Sequence, residues 1–209
     1  MLNRIHMLIN RFGLIGSYLD ETKPSKRIDN HQQTGIEGLI QNPYAFRQTS
    51  EELCEKALID AKTELHPLLQ QVDLQKLGQR REFVEAFRHA LERVVAERIA
   101  LWLPRVKVVY KFDPPKGSST EYWDNVIHLL LLVPRLVPSV DELGSKLDSE
   151  MLKRLKRFNW SRFRDSQSVL ELQQVTPDEI RHGVCYGAMF YSFYTAPLQV
   201  WPRIFDQPN

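Results

Sequence analysis

Three carboxylates and one histidine are the residues in this chain whose types and spacing could support chemistry. Asp113, Glu121 and Asp124 lie around the loop of a predicted β-hairpin, and the second strand of that hairpin carries His128. A hydrolytic or metal site needs two or more carboxylates that converge on one face. Spacing alone does not establish that convergence, and carboxylates at a loop tip are ordinarily turn formers or solvated charges. We therefore assign no catalytic residue, and we interpret His128 as a satisfied core or rim histidine.

The two cysteines, Cys54 and Cys185, lie far apart and form no CxxC pair. Cys185 follows His182 closely, but one such pair supplies too few ligands for a tetrahedral metal site. This usage favours free thiols in a reducing cytoplasm, with a single long-range disulfide as the alternative. We assign no metal and no cofactor.

Residues 153–164, with the sequence KRLKRFNWSRFR, form what we call the basic-aromatic segment. The formal net charge of the whole chain is only +2, so any basic surface has to be local. In a structural interpretation, the cations complement the dipole at a helix C-terminus and the rings fasten the next loop to the core. In a functional one, the cations and rings contact an acidic protein, a nucleic acid or a lipid surface. The candidate partner-binding residues in this segment are Lys153, Arg154, Lys156, Arg157, Trp160, Arg162, Phe163 and Arg164.

Five aromatic residues fall within residues 186–194, which is too many for one buried stripe of a helix. Thr176 and Glu179 predict a capping box at the start of this helix. Gly183 and Gly187, four positions apart, allow another backbone to approach closely, most simply in tight internal packing. Some of the rings therefore face a groove, an N-terminal arm or a partner. The rings that we assign to partner binding are Tyr186, Phe190 and Tyr194.

The first 19 residues have the apolar spacing of a short amphipathic helix, and no acid precedes Asp20. Three interpretations stay open: an arm that docks on the fold or on a partner, which we favour, a helix at a membrane surface, and an organellar presequence. Residues 20–49 are polar and predict a linker. The longest apolar run, VIHLLLLV, is far shorter than the roughly 20 residues that span a bilayer, so we predict no transmembrane segment. The predicted organisation is an arm and linker over residues 1–49 and a single domain over residues 50–209.

Helix signals recur along the predicted domain. Thr49 and Glu52 have the spacing of a capping box that opens the first helix. A longer helix with one apolar stripe is predicted from about residue 73 to residue 103. Ser139 and Glu142 have the spacing of a second capping box, which opens the helix that leads into the basic-aromatic segment.

Strand signals are concentrated in the middle of the chain. Two apolar stretches, VKVVYKF and NVIHLLLLV, flank a Pro-Pro-Lys-Gly-Ser-Ser loop and predict a hairpin over about residues 106–133. The second stretch is apolar on both faces, which predicts an interior strand or a face that a partner covers. The stretch SVLELQQV predicts a third strand. The expected fold class is α+β, with four to five helices packed on a small antiparallel sheet centred on the hairpin.

These features give three hypotheses for function. The first is a non-catalytic interaction protein, such as an adaptor, an assembly factor or a complex subunit, that binds an acidic macromolecular partner through the basic-aromatic segment. The second is a nucleic-acid-binding module that uses the same segment. The third is a hydrolytic enzyme with carboxylates near the hairpin loop. Strong weakening by moderate salt would indicate binding through several phosphates, whereas dependence on Trp160 would indicate recognition of a protein.

Overall fold

The computed structural model describes residue 38 and residues 40–65, 72–112, 126–193 and 196–202. Helices and a four-stranded sheet make up this part of the chain. The elements are α1 (Pro43–Leu65), α2 (Leu74–Leu77), α3 (Arg81–Trp102), β1 (Val108–Lys111), β2 (Ile127–Leu132), α4 (Ser139–Arg157), α5 (Ser161–Arg164), β3 (Leu170–Val175), α6 (Pro177–His182), a 3-10 helix (Cys185–Tyr191) and β4 (Leu198–Trp201). The strands lie in the order β3-β2-β1-β4 in the sheet. The predicted mixture of helix and sheet is confirmed.

The first helix begins before the position that the sequence pattern indicated. The Asn42 side chain accepts a hydrogen bond from the Ala45 amide, as an N-cap does, and α1 starts at Pro43. Thr49 lies inside the helix, where its hydroxyl donates to the Ala45 carbonyl. The capping box predicted at Thr49 is therefore wrong, because its hydroxyl is bonded one turn back. Phe46 is buried in the core, so this first turn of α1 packs against the rest of the fold.

The predicted helix over residues 73–103 is divided into two. The Asp73 carboxylate accepts from the Gln75 amide at 2.7 Å and caps the short α2. The chain then turns at Gly78 and restarts as α3. A glycine is required at position 78 for packing, because a Cβ atom there would overlap the indole ring of Trp160. The buried stripe along α3 does form the central part of the core.

The hairpin of β1 and β2 is antiparallel, with Val108 opposite Leu132. β4 adds to the other edge of β1, also antiparallel. β3 instead pairs parallel with β2, with Ile127 opposite Leu170. The sheet is therefore mixed, and the prediction of a wholly antiparallel sheet is wrong. The physical reason is the connection, because α4 brings the chain back along the helix layer before β3 begins, which is how parallel neighbours are joined.

All six residues of β2 are buried, as the two-sided apolar pattern predicted. Val109 and Leu129 belong to the core that the helices cover. The alternate residues Tyr110, His128 and Leu130 point to the second face of the sheet and are buried there as well. The interior position of β2 explains why neither face of this strand carries a solvated pattern.

Among the C-terminal elements, one predicted helix cap is confirmed and one predicted helix is shorter than expected. Thr176 and Glu179 make the complete capping box at the start of α6. The single aromatic helix that was expected from there ends at Gly183, whose φ of +62° places it in the left-handed region that favours glycine. The chain continues as the 3-10 helix.

The start of α4 differs from the predicted one. Ser139 is the first helical residue, and Pro138 is the N-cap without a side-chain bond, so the capping box predicted at Ser139 is wrong.

Across the described ranges, every helix is too short or too polar to cross a lipid bilayer.

Candidate interaction surface

The rings of the basic-aromatic segment are part of the core. Trp160 is 2% exposed and Phe163 is also buried. The indole Nε1 donates to the Leu74 carbonyl at 2.9 Å, which ties α2 to the residues between α4 and α5. Phe83 and Phe87 of α3 contact the indole edge-on, with ring centroids 5.8 and 5.1 Å away. This aromatic cluster encloses both rings, so Trp160 and Phe163 lack the exposure that their assignment to partner binding requires.

Two arginines of the segment bind glutamates of α1. Arg154 contacts Glu55 at 2.8 Å, and Arg157 contacts Glu51 at 3.5 Å. The pairs join α4 to α1 across the surface of the helix layer. Exposed pairs of this kind contribute little to stability, typically about 0–1 kcal/mol. Their main effect is on the local electrostatic potential, because the glutamates offset the positive charge that an acidic partner would need.

The other cations of the basic-aromatic segment differ in whether they form an ion pair. Lys153 contacts Glu150 at 2.6 Å on the same helix. Lys156 is exposed and has no ion-pair partner among the residues that the structure describes. Arg164 is exposed and hydrogen-bonds to an asparagine side chain at 3.4 Å. The side chain of Arg162 lies outside the described part. The segment thus presents separate charges at the surface without the rings that were expected beside them.

Two of the predicted partner-binding rings attach the 3-10 helix to the second face of the sheet. Phe190 packs edge-on against Tyr110 with a centroid distance of 5.0 Å. Tyr186 lies 6.1 Å from the ring of Phe112. Both Phe190 and Tyr186 are half-buried. They position the 3-10 helix and present only part of their rings to solvent, while Tyr194 lies outside the described residues.

Gly187 explains how closely the 3-10 helix approaches α6. A Cβ atom at this position would overlap the Glu179 carbonyl and the Ile180 amide nitrogen, so no side chain fits. Because the obstacle is backbone, a rotamer change cannot relieve it. The close backbone approach that was predicted for Gly187 is confirmed, and it occurs within the chain.

Three apolar side chains next to this packed region are exposed, and we call them the C-terminal aromatic surface: Val184, Tyr191 and Phe193. Phe193 is 86% exposed, Tyr191 51% and Val184 49%. The Tyr191 ring lies beside Gly183, and its hydroxyl donates to the Arg181 carbonyl at 3.5 Å, so this ring packs along the end of α6. Sequence reasoning noted an excess of aromatic residues here but assigned the exposed role to others. Recognising Gly183 as a helix stop would have moved the prediction toward Tyr191 and Phe193.

A pair formed by a buried histidine and a partly exposed carboxylate lies below the 3-10 helix. His128 and Glu171 face each other across the parallel β2–β3 pair, and their Nδ1 and Oε2 atoms are 2.8 Å apart. The hydrogen bond from His128 lowers the pKa of Glu171, and Gln173 donates to the other carboxylate oxygen at 2.7 Å. Burial, and then the charge of Glu171, raises the pKa of Tyr186. His128 is therefore a core residue, as predicted, and its Nδ1 atom bonds to Glu171.

The geometry of this pair does not resemble an open catalytic site. The side chain of His128 has no exposed surface, and the Phe112 ring packs 5.2 Å from the imidazole. Asp113, Glu121 and Asp124, the carboxylates of the hydrolytic hypothesis, lie outside the described residues. Within the described ranges, no three His, Cys, Asp or Glu side chains converge to hold a metal ion. Both cysteines are free thiols, Cys54 buried and Cys185 exposed.

Comparisons of this chain with models of protein families, with curated proteins and with solved structures found no match.

Proposed function

We propose that this chain is a non-catalytic interaction protein, such as an adaptor, an assembly factor or a complex subunit, and that it binds a protein partner through the C-terminal aromatic surface. The observation that carries the proposal is that Val184, Tyr191 and Phe193, which fall within ten consecutive positions of the chain, are all exposed. Aromatic residues are enriched at the centres of protein interfaces, where their burial contributes about 25 cal/mol per Å² of apolar area. Single exposed apolar residues are common on any surface, so the proposal depends on three of them occurring within residues 184–193.

The packing below the surface supports the same proposal. The 3-10 helix is fixed to α6 at Gly187 and to the sheet through Tyr186 and Phe190. An interaction surface on a fixed element loses less conformational entropy on binding than one on a mobile loop. Tyr191, the last residue of the 3-10 helix, is therefore presented in a defined position, and Phe193 follows it two residues later.

A more specific version of the proposal is that the partner is acidic. The exposed cations of α4 and α5 give this version only weak support. The glutamates Glu51, Glu55 and Glu150 offset three of these cations. Lys156 and Arg164 are left as exposed positive charges that could contribute to the rim of an interface. Rim charges affect the rate of association more than the affinity. The nucleic-acid alternative loses its stacking rings, because Trp160 and Phe163 are buried.

The experiment compares three versions of the full chain as bait in extract from the native source: wild type, the double variant Tyr191→Ser/Phe193→Ser, and the control Tyr44→Ser. Tyr44 is a matched control because it is an aromatic residue that is 78% exposed, but it lies at the start of α1 in the helix layer. All baits are treated with nuclease and washed at two salt concentrations. Urea unfolding of each variant establishes that the surface changes leave the fold intact.

Support requires one protein, recovered in a fixed ratio to the bait, that the control retains and the double variant loses at least tenfold. Recovery that is equal with all three baits would contradict the proposal. Recovery that disappears with nuclease or at moderate salt would favour the nucleic-acid alternative. A fourth bait, Lys156→Glu/Arg164→Glu, tests separately whether the partner is acidic. If only this bait failed to recover the partner, the interface would lie at the basic-aromatic segment and not at the C-terminal aromatic surface.

A further inference from the structure

We draw no further inference here: the strongest candidate, the His128–Glu171 pair between β2 and β3 beneath the 3-10 helix, has its imidazole fully enclosed under the Phe112 ring, and its partly exposed carboxylate is distinguished only by a lowered pKa, which carries no proposal by itself.

Discussion

Replacing Trp160 with leucine tests whether the indole is a core residue, as the structure shows, or a partner anchor, as the sequence suggested. The substitution removes the hydrogen bond from Nε1 to the Leu74 carbonyl and the edge-on contacts with Phe83 and Phe87. It also leaves a space next to Gly78, because the indole packs directly against this glycine, where a Cβ atom would overlap it. Each of these losses destabilises the folded state and none requires a partner.

The size of the effect follows from the burial of the ring. Truncating a buried tryptophan to alanine costs about 3–5 kcal/mol, and leucine retains part of the lost volume. The missing hydrogen bond accounts for about 1 kcal/mol and leaves a carbonyl to find a new donor. We therefore expect Trp160→Leu to lower the free energy of unfolding by about 2–4 kcal/mol. For a chain of this length, that corresponds to a fall in Tm on the order of 10 °C.

The assay is urea unfolding of the isolated protein, followed by circular dichroism so that removal of the indole does not change the probe. Phe193→Leu is the control, because this exposed ring should change the free energy of unfolding by less than about 0.5 kcal/mol. If Trp160→Leu unfolded at the same urea concentration as wild type while partner recovery fell, the indole would be a surface anchor. That result would contradict the conclusion that the aromatic cluster encloses Trp160.

Three further predictions concern single residues elsewhere in the fold. Gly187→Ala places a methyl group against the backbone of α6 and should lower the free energy of unfolding by about 1–3 kcal/mol, whereas Gly38→Ala, with open space around it, should have little effect. Because the folded pKa of Glu171 is lowered, its charge stabilises the fold above the ordinary value of about 4.3, and this contribution is lost as the pH falls through the folded pKa. The stability difference between wild type and Glu171→Gln in urea should therefore be largest above about pH 5 and should narrow below about pH 4. Burial raises the pKa of Cys54 to about 12, so a thiol reagent at pH 8 should modify only Cys185 until the protein is denatured.

Each of these predictions has an outcome that would contradict it. Equal unfolding midpoints for Gly187→Ala and Gly38→Ala would show that the 3-10 helix does not lie against α6. A difference between wild type and Glu171→Gln that widens toward acid pH would reverse the sign expected for a lowered carboxyl pKa. Fast labelling of two thiols in the native protein would show that Cys54 is accessible.

Local sequence patterns were sufficient for several elements. The interior strand β2 follows from eight apolar or nearly apolar residues that end at Pro134, and the cap at Thr176 follows from side chains only three positions apart. Both depend on neighbours in the chain, which is the information that a pattern contains. The mixed class of helix and sheet could be predicted for the same reason.

The errors arise where contacts between distant residues decide the outcome. The indole of Trp160 bonds to Leu74, 86 positions away, and Arg154 bonds to Glu55, 99 positions away. A run of cations and rings is equally consistent with an open surface or with a buried cluster rimmed by ion pairs. The parallel direction of β3 likewise depends on where α4 delivers the chain, and β4 gave too short a signal to be noticed. The exposed Phe193 depends on the stop at Gly183, which requires a left-handed residue that the helical pattern concealed.

The pairing of β4 with β1 imposes an order on folding during synthesis. β4 contains residues 198–201, the last of the four strands to leave the ribosome, yet it completes one side of β1 at residues 109–111. Until it arrives, the nascent sheet has an open edge at an apolar strand, which is the kind of template on which chains aggregate. Contacts between segments so distant in the chain also slow the final folding step. A ribosome that pauses before residue 198 would therefore hold a chain in which one edge of β1 is open to pairing with another chain.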